Sequence, residues 1–317
     1  MTGVTVRVPA KLNLQLAVGP PRGDGYHDLV TVFHAVSLFD EVTTEPARRD
    51  GITVTGEGAD RVPADRDNLA LRAVAALRAA ADPAVAGGVH ITILKRIPVA
   101  AGLAGGSADA AAALVACNEL WGAGLGHSQL LEVAAQVGSD VAFALLGGTA
   151  VGRGRGERLT PALAPATPYH WVLAFADGQL STPAVYAALD RLRAAEADGS
   201  GGSKTGRRKA AAPALDAALM SALRSGDARQ VGRALSNDLQ PAALSLFPAL
   251  RKTLAAGLEL GAFGALISGS GPTCMFLAAS ADRALDLAAS LSGAGVCRSV
   301  ARATGPVPGA AVLPAVR

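Results

Sequence analysis

One stretch narrows the possible folds of this chain more than any other. Val89, Ile91 and Ile93 alternate with His90, Thr92 and Leu94, which is the period of a β-strand. The strand runs through Lys95-Arg96-Ile97 into a run of small residues, Pro98-Val99-Ala100-Ala101-Gly102-Leu103-Ala104-Gly105-Gly106-Ser107-Ala108. An alanine-rich helix is expected to follow, over about 107–121. Strand, small-residue loop and long helix in this order call for a mixed α and β core. Small side chains let the backbone approach a bulky anion, and glycine tolerates the positive φ that such a turn needs. The free N–H groups and dipole of the following helix favour phosphate there. Ser107 lies where an N-cap hydroxyl would. Ala100, Ala101 and Ala104 are expected to avoid strongly positive φ. The same glycines would also serve a plain turn and cap, and the loop alone does not decide between the two. It is not a Walker A loop, because the chain has no Gly-Lys dipeptide, and it spells neither GxGxxG nor GxSxG.

Composition excludes several classes. The chain has 317 residues, half of them hydrophobic and only 4% aromatic, which suits one large domain or two ordinary ones built on Leu, Val and Ala. The net charge of +3 gives no case for nucleic acid as a partner. Cys117, Cys274 and Cys297 are odd in number and form no CxxC pair, which argues against disulfides or structural zinc and for a reducing cytoplasm. His27, His34, His90, His127 and His170 lack metal-ligand spacing. No uncharged apolar run reaches about 18 residues, so no membrane span is expected. Arg7 and Lys11 interrupt the apolar start, which is not expected to be a signal segment.

Further elements follow from pattern. Strands are expected over 4–16 and 30–36, with a turn at Gly19-Pro20-Pro21 between them. Asp67 and Asn68 are placed to cap a helix reaching about 81, with Leu69, Ala73 and Leu77 on one face. A helix over 128–137 ends at Gly138, and Ser139-Asp140 opens a short apolar helix to 146. A glycine-arginine region, 147–156, marks a loose domain boundary. Beyond it come a strand over 171–176 and a Gly-Ser stretch with Arg207-Arg208-Lys209, expected as a flexible surface loop over 196–212. Strands over 265–267, 273–278 and 296–303 and a helix over 281–291 suggest a small sheet with helices on one face. The tail after 305 is expected to be irregular.

Three segments together resemble the three motifs of the GHMP kinase superfamily: Pro9-Ala10-Lys11-Leu12-Asn13-Leu14, the 98–108 loop, and Ser268-Gly269-Ser270-Gly271-Pro272-Thr273. With Asp24-Gly25-Tyr26-His27 and Gly138-Ser139-Asp140-Val141 the likeness runs in order from about 5 to 300. It is nearest to the branch whose acceptor carries a cytidine diphosphate. The resemblance implies an α+β, two-domain GHMP kinase fold. A ribosomal-protein-S5-like N-terminal domain would cover 1–160, a ferredoxin-like C-terminal domain 161–305, and a tail 306–317. It implies direct transfer of the γ-phosphoryl group of ATP to the 2-hydroxyl of 4-diphosphocytidyl-2-C-methyl-D-erythritol, a step of non-mevalonate isoprenoid precursor synthesis. The partners would be these two small molecules, in a cytoplasmic monomer or homodimer. Mg2+ is expected with the triphosphate, although no acidic residue stands out as its protein ligand.

The roles carry over by the same resemblance. Asp140 would be the base and Lys11 its neighbour, with Asn13 on the same strand face contacting substrate. Tyr26 and His27 would recognise cytosine, and Tyr186 would form the opposite wall. Gly269 and Gly271 would close the third loop on the substrate and the phosphate loop. Asn68 and Lys95 would flank adenine and ribose. Asp109 is expected to face away and support the helix start. From the residues alone, an N-cap Asp140, outward-pointing Lys11 and Lys95, and a surface Tyr26-His27 pair remain open. So do a homoserine- or mevalonate-type kinase and a nucleotide-binding regulator without catalysis.

Overall fold

The computed structural model describes residues 3–162, 168–199 and 212–314. Strand β1 (Val4–Pro21) and strand β2 (His27–Ala47) form one long antiparallel hairpin, well beyond the expected ends. The turn is tight enough to carry pairing to its base, with Arg22 N–H donating to the Tyr26 carbonyl at 2.6 Å. β1 is buried on both faces. Val6, Val8, Ala10, Leu12 and Leu14 enter the main core, while Lys11, Asn13 and Gln15 are buried on the opposite side. The two-residue period of a strand thus aligns the polar set on one face.

Strand β3 (Gly51–Gly56), helix α1 (Leu69–Ala80) and strand β4 (Gly88–Lys95) follow, with β4 pairing antiparallel to β2 and parallel to β3. The expected Asn68 cap is present, its Oδ1 accepting from Ala70 N–H at 2.8 Å. Helix α2 (Gly105–Trp121) is buried along Ala108–Leu114, where alanines admit close packing against its neighbours. Helices α3 (His127–Val137) and α4 (Ser139–Leu146) lead into strand β5 (Thr149–Gly154), which joins β2, and strand β6 (Arg158–Pro161).

The second half opens with strand β7 (Tyr169–Phe175) and helix α5 (Thr182–Gly199). Most of the expected 196–212 surface loop lies outside the described residues, and its first four residues instead continue α5. Helices α6 (Ala217–Ser225) and α7 (Ala228–Ala234), strand β8 (Ser236–Asn237), and helices α8 (Gln240–Leu246) and α9 (Leu250–Glu259) precede strands β9 (Gly264–Ile267) and β10 (Cys274–Ala278). Helix α10 (Ala281–Gly293), strand β11 (Ser299–Gly305) and strand β12 (Ala311–Val312) complete the described elements. β11, β7, β10 and β9 form an antiparallel sheet in that order. Val172, Ala174 and Phe276 on one face pack under the helices, as expected. Trp171, Leu173 and Met275 on the other face join the core of the first sheet. The tail after 305 is not irregular throughout. It returns to the first sheet, where β12 pairs with Val6 and Arg7 of β1.

His34 sits where the two sheets meet. It is fully buried, with Nδ1 bonded to Thr149 Oγ1 at 2.8 Å and its ring edge-on to Tyr169 and Trp171. Burial pushes its pKa down to about 3. Between the ordinary imidazole value of about 6.5 and that value, the unfolded chain binds a proton that the folded chain refuses. Stability should therefore fall as pH drops through this window, by at most about 1.4 kcal/mol per pH unit. Denaturant midpoints measured from pH 7 to 4 should show this slope in the parent protein and a shallower one in His34→Gln; identical slopes would exclude His34 as its source.

Candidate active site

β4 ends at Lys95 and α2 begins at Gly105, two residues earlier than expected. The N-cap position belongs to Ala104, and Ser107 is the third helical residue, with no capping bond. Ala100 (φ 57°) and Ala104 (φ 59°) are both left-handed, contrary to the expectation for alanine. Each such residue costs of order 1–3 kcal/mol and persists only where its surroundings impose it. The first-turn amides of Gly105, Gly106 and Ser107 have no helical acceptor, and these residues line the main cleft. Ala100, Ala101, Gly102 and Ala104 line it too. Leu103 and Ala108 point into the core instead. Pro98 and Val99 line an adjoining cavity of about 240 Å³.

The imposing force is a buried ion cluster. Lys95 is 2% exposed, so it is no exposed strand-end lysine. Its Nζ donates to Asp40 Oδ2 and, at 2.7 Å, to Asp109 Oδ2. Asp109 therefore faces inward, a correction to the outward reading, because its cation partner Lys95 lies beneath the helix. Asp40 Oδ1 also accepts the N–H groups of Arg96 (2.6 Å) and Ile97 (2.8 Å). Burial raises the Asp109 carboxyl to about 8, opposed by Lys95 and reinforced by Asp40. For Lys95, burial favours the neutral amine, but the two carboxylates outweigh it and raise its pKa. Asn68 is similarly committed, with Nδ2 on the Pro63 carbonyl at 2.7 Å and Oδ1 on the cap. Lys95 and Asn68 wall a small cavity of about 180 Å³ beside Gly105 and Gly106, with their polar atoms already bonded to protein.

The main cleft, about 490 Å³, opens between the two halves. Lys11 Nζ lies 4.0 Å from Asp140 Oδ2 and donates to Asn13 Oδ1 at 2.6 Å. Asn13 Nδ2 donates to Thr31 Oγ1 (2.8 Å), and Thr31 Oγ1 to the Gln15 carbonyl (2.7 Å). Burial lowers the Lys11 pKa, while Asp140 acts to raise it. Asp140 is the second residue of α4, whose cap position is Gly138, so it is not a plain N-cap. Lys11 points into the cleft, not outward.

The third loop closes the cleft. Gly269 (φ 57°) is so near that a Cβ there would lie 3.2 Å from both Lys11 Nζ and Asn13 Oδ1. A Cβ on Gly102 would fall 2.4 Å from the Ser268 carbonyl oxygen, so the two loops meet backbone to backbone. Gly271 does not line the cleft; it backs Gly102. A second cavity, about 600 Å³, adjoins the first and is walled by Tyr26, His27, Tyr186 and Asp190. The His27 ring lies 5.0 Å from that of Tyr186, and its Nε2 pairs with Asp190 at 3.0 Å. Burial, then Asp140, pushes the Tyr186 hydroxyl up to about 12.

Sequence reasoning missed several residues here. Thr31 and Phe33 share the cleft face of β2, which strand alternation from Asn13's partner could have indicated. Asp40, Asp190 and Arg155 carry no local signal. Lys95→Met would leave the buried Asp40 and Asp109 carboxyls without their cation and should cost about 3–5 kcal/mol. Urea unfolding measures this, and an unchanged midpoint would refute the supporting role of the cluster.

The family described as GHMP kinases N terminal domain matches residues 68–148, and GHMP kinases C terminal matches 219–297. A 4-diphosphocytidyl-2-C-methyl-D-erythritol kinase of Thermobifida fusca (strain YX) is 57% identical over 321 residues, covering 98% of this chain and 99% of that protein. The enzyme of the same name from Mycolicibacterium smegmatis is 56% identical, with 98% and 93% covered. A crystal structure of 4-(cytidine 5'-diphospho)-2C-methyl-D-erythritol kinase superposes with a TM-score of 0.73 at 35% identity, covering 94% of this chain and 98% of that one. Likeness that extends end to end, in sequence and in three dimensions, leaves one conclusion: the chain belongs to the GHMP kinase family.

Proposed function

We propose that this chain transfers the γ-phosphoryl group of ATP to the 2-hydroxyl of 4-diphosphocytidyl-2-C-methyl-D-erythritol, in isoprenoid precursor synthesis. The observation that carries the reading is the joining of two cavities. One holds Lys11 and Asp140 beside the small-residue loop; the other is walled by Tyr26, His27 and Tyr186 and suits a stacked base. A homoserine- or mevalonate-type acceptor has no base to place there. The 52–57% identity to enzymes named for this cytidine substrate supports the same choice.

In this reading the acceptor hydroxyl lies at Asp140, which takes its proton as it attacks. Lys11 keeps the carboxylate ionised and lowers the proton affinity of the hydroxyl. Its own position is fixed by the chain through Asn13 and Thr31 to the Gln15 carbonyl. The amides of Gly105, Gly106 and Ser107 face the charge that develops on the transferred group. Transfer is direct in this reading, with Asp140 serving as base and the acceptor hydroxyl attacking the γ-phosphorus. Among the described residues Asp140 is the one carboxylate lining the cleft, and Ser107 offers a hydroxyl there. That donor set fits Mg2+, which keeps most of its waters and takes few protein ligands. When bound, the ion would neutralise part of the triphosphate charge. Three cysteines without disulfide partners are consistent with a cytoplasmic enzyme. No helix among the described residues is long and apolar enough to cross a membrane.

An ADP-release assay with the cytidine acceptor, homoserine and mevalonate tests the reading. Only the first should turn over, and comparable kcat/KM for another would overturn it. Asp140→Asn should lower kcat by about 10²- to 10⁴-fold with an unchanged thermal midpoint; near-normal turnover would remove Asp140 from the mechanism. Tyr26→Ala should raise KM for the acceptor roughly 5- to 150-fold, the loss of one base stack, and leave that for ATP unchanged. Equal effects on both substrates would argue against a base site at Tyr26.

A further inference from the structure

The two cavities meet along Leu29, Gly138, Ser139, Arg155, Thr182 and Tyr186, which line both. An acceptor with its base in one cavity and its reacting hydroxyl in the other must carry the intervening diphosphate across this strip. Of the six residues only Arg155 bears a charge. Among the described residues, Lys11 and Arg155 are the two cations lining the main cleft, and Lys11 is committed to the reacting end. Arg155 forms no ion pair among the described residues, although Asp140 and Asp190 line the neighbouring walls.

The turn that presents Arg155 is built to hold it there. It joins β5 to β6, and Gly154 (φ 75°) and Gly156 (φ 103°) flank Arg155. Arg155 N–H donates to Glu157 Oε2 at 2.7 Å, which engages the local carboxylate with the backbone and leaves the guanidinium unpaired. A Cβ on Gly156 would lie 3.4 Å from both Ser139 and Phe33, so the turn rests against the start of the helix that carries Asp140. The guanidinium carbon lies 5.3 Å from the centre of the Tyr26 ring. A planar, permanently charged fork resting on the base-site aromatic is well matched to two adjacent phosphate oxygens.

We infer that Arg155 is a specificity-determining residue that binds the diphosphate of the acceptor and so selects a nucleoside diphosphate conjugate over a bare nucleoside. This rests on the acceptor proposed above. Calorimetric binding of CDP and of cytidine to the full chain separates the two ideas. The parent protein should bind CDP at least tenfold more tightly than cytidine. Arg155→Gln should erase most of that ratio by weakening CDP, with cytidine affinity unchanged, and Arg155→Lys should restore part of it. A ratio unchanged in Arg155→Gln overturns the inference. So does an equal loss for CDP and cytidine, which would mean that Arg155 acts only by bracing Tyr26. A parent protein that binds neither probe overturns the acceptor reading and this inference with it. One that binds both equally overturns this inference alone.

Discussion

Lys95 reaches into a space with almost no water and there meets two carboxylates from distant parts of the chain. Asp40 comes from the middle of β2 and Asp109 from the first turns of α2. The loop between β4 and α2 has its two ends tied to these groups. At one end Asp40 takes the amides of Arg96 and Ile97 and sets the direction in which the chain leaves the strand. At the other, Asp109 fixes the rotation of the helix about its axis. The residues between have little freedom left, and two alanines accept a left-handed backbone in consequence. Burying such a cluster is unfavourable compared with an apolar core, so its value here lies in geometry more than in stability. It holds a row of unpaired amides still at the edge of a cleft, and preorganised dipoles of this kind stabilise charge that appears during a reaction without having to reorganise.

The remaining parts of the site depend on a simpler rule. β1 is inserted between a helical core and the second half of the molecule, and its alternation sorts side chains by parity. Even positions from Val6 to Leu14 pack inward, and Lys11, Asn13 and Gln15 face the cleft. Gln15 goes on to hold the second half, donating to the Ala214 carbonyl and accepting from Asp216 N–H. The same strand face thus positions the lysine beside Asp140 and fastens the two halves around it.

Much of this was legible in the sequence. The 89–94 strand, the loop and the long helix follow from local pattern, and motif resemblance gathers Lys11, Asp140, Tyr26 and His27, which the fold places on adjoining walls. What escaped has one physical character: it depends on partners far away in the chain. Asp40 looks like any polar residue in a strand, and only folding brings Lys95 beneath it. The outward expectation for Asp109 rests on the repulsion an inward carboxylate would exert on phosphate, and takes no account of the cation that lies under the helix. The positive φ of Ala100 and Ala104 could not be read from residues whose own preference is the opposite. Arg155 sits in a turn whose glycines announce a change of direction but not what the turn leans on. The 2-residue β8 and the returning tail are too short to leave a periodic signal.

That returning tail bears on how the molecule is made. β1 precedes every other described element in the chain, and its outer edge is covered by β8 and β12, residues 236–237 and 311–312. Translation at roughly 5–20 residues per second leaves this edge open for much of the time the chain is being synthesised. Exposed strand edges invite pairing with other chains. The first sheet can therefore form its hairpin early but is finished only once residues 311–312 have been made. A nascent chain stalled before that point would carry most of these elements with the outer edge of β1 still unprotected.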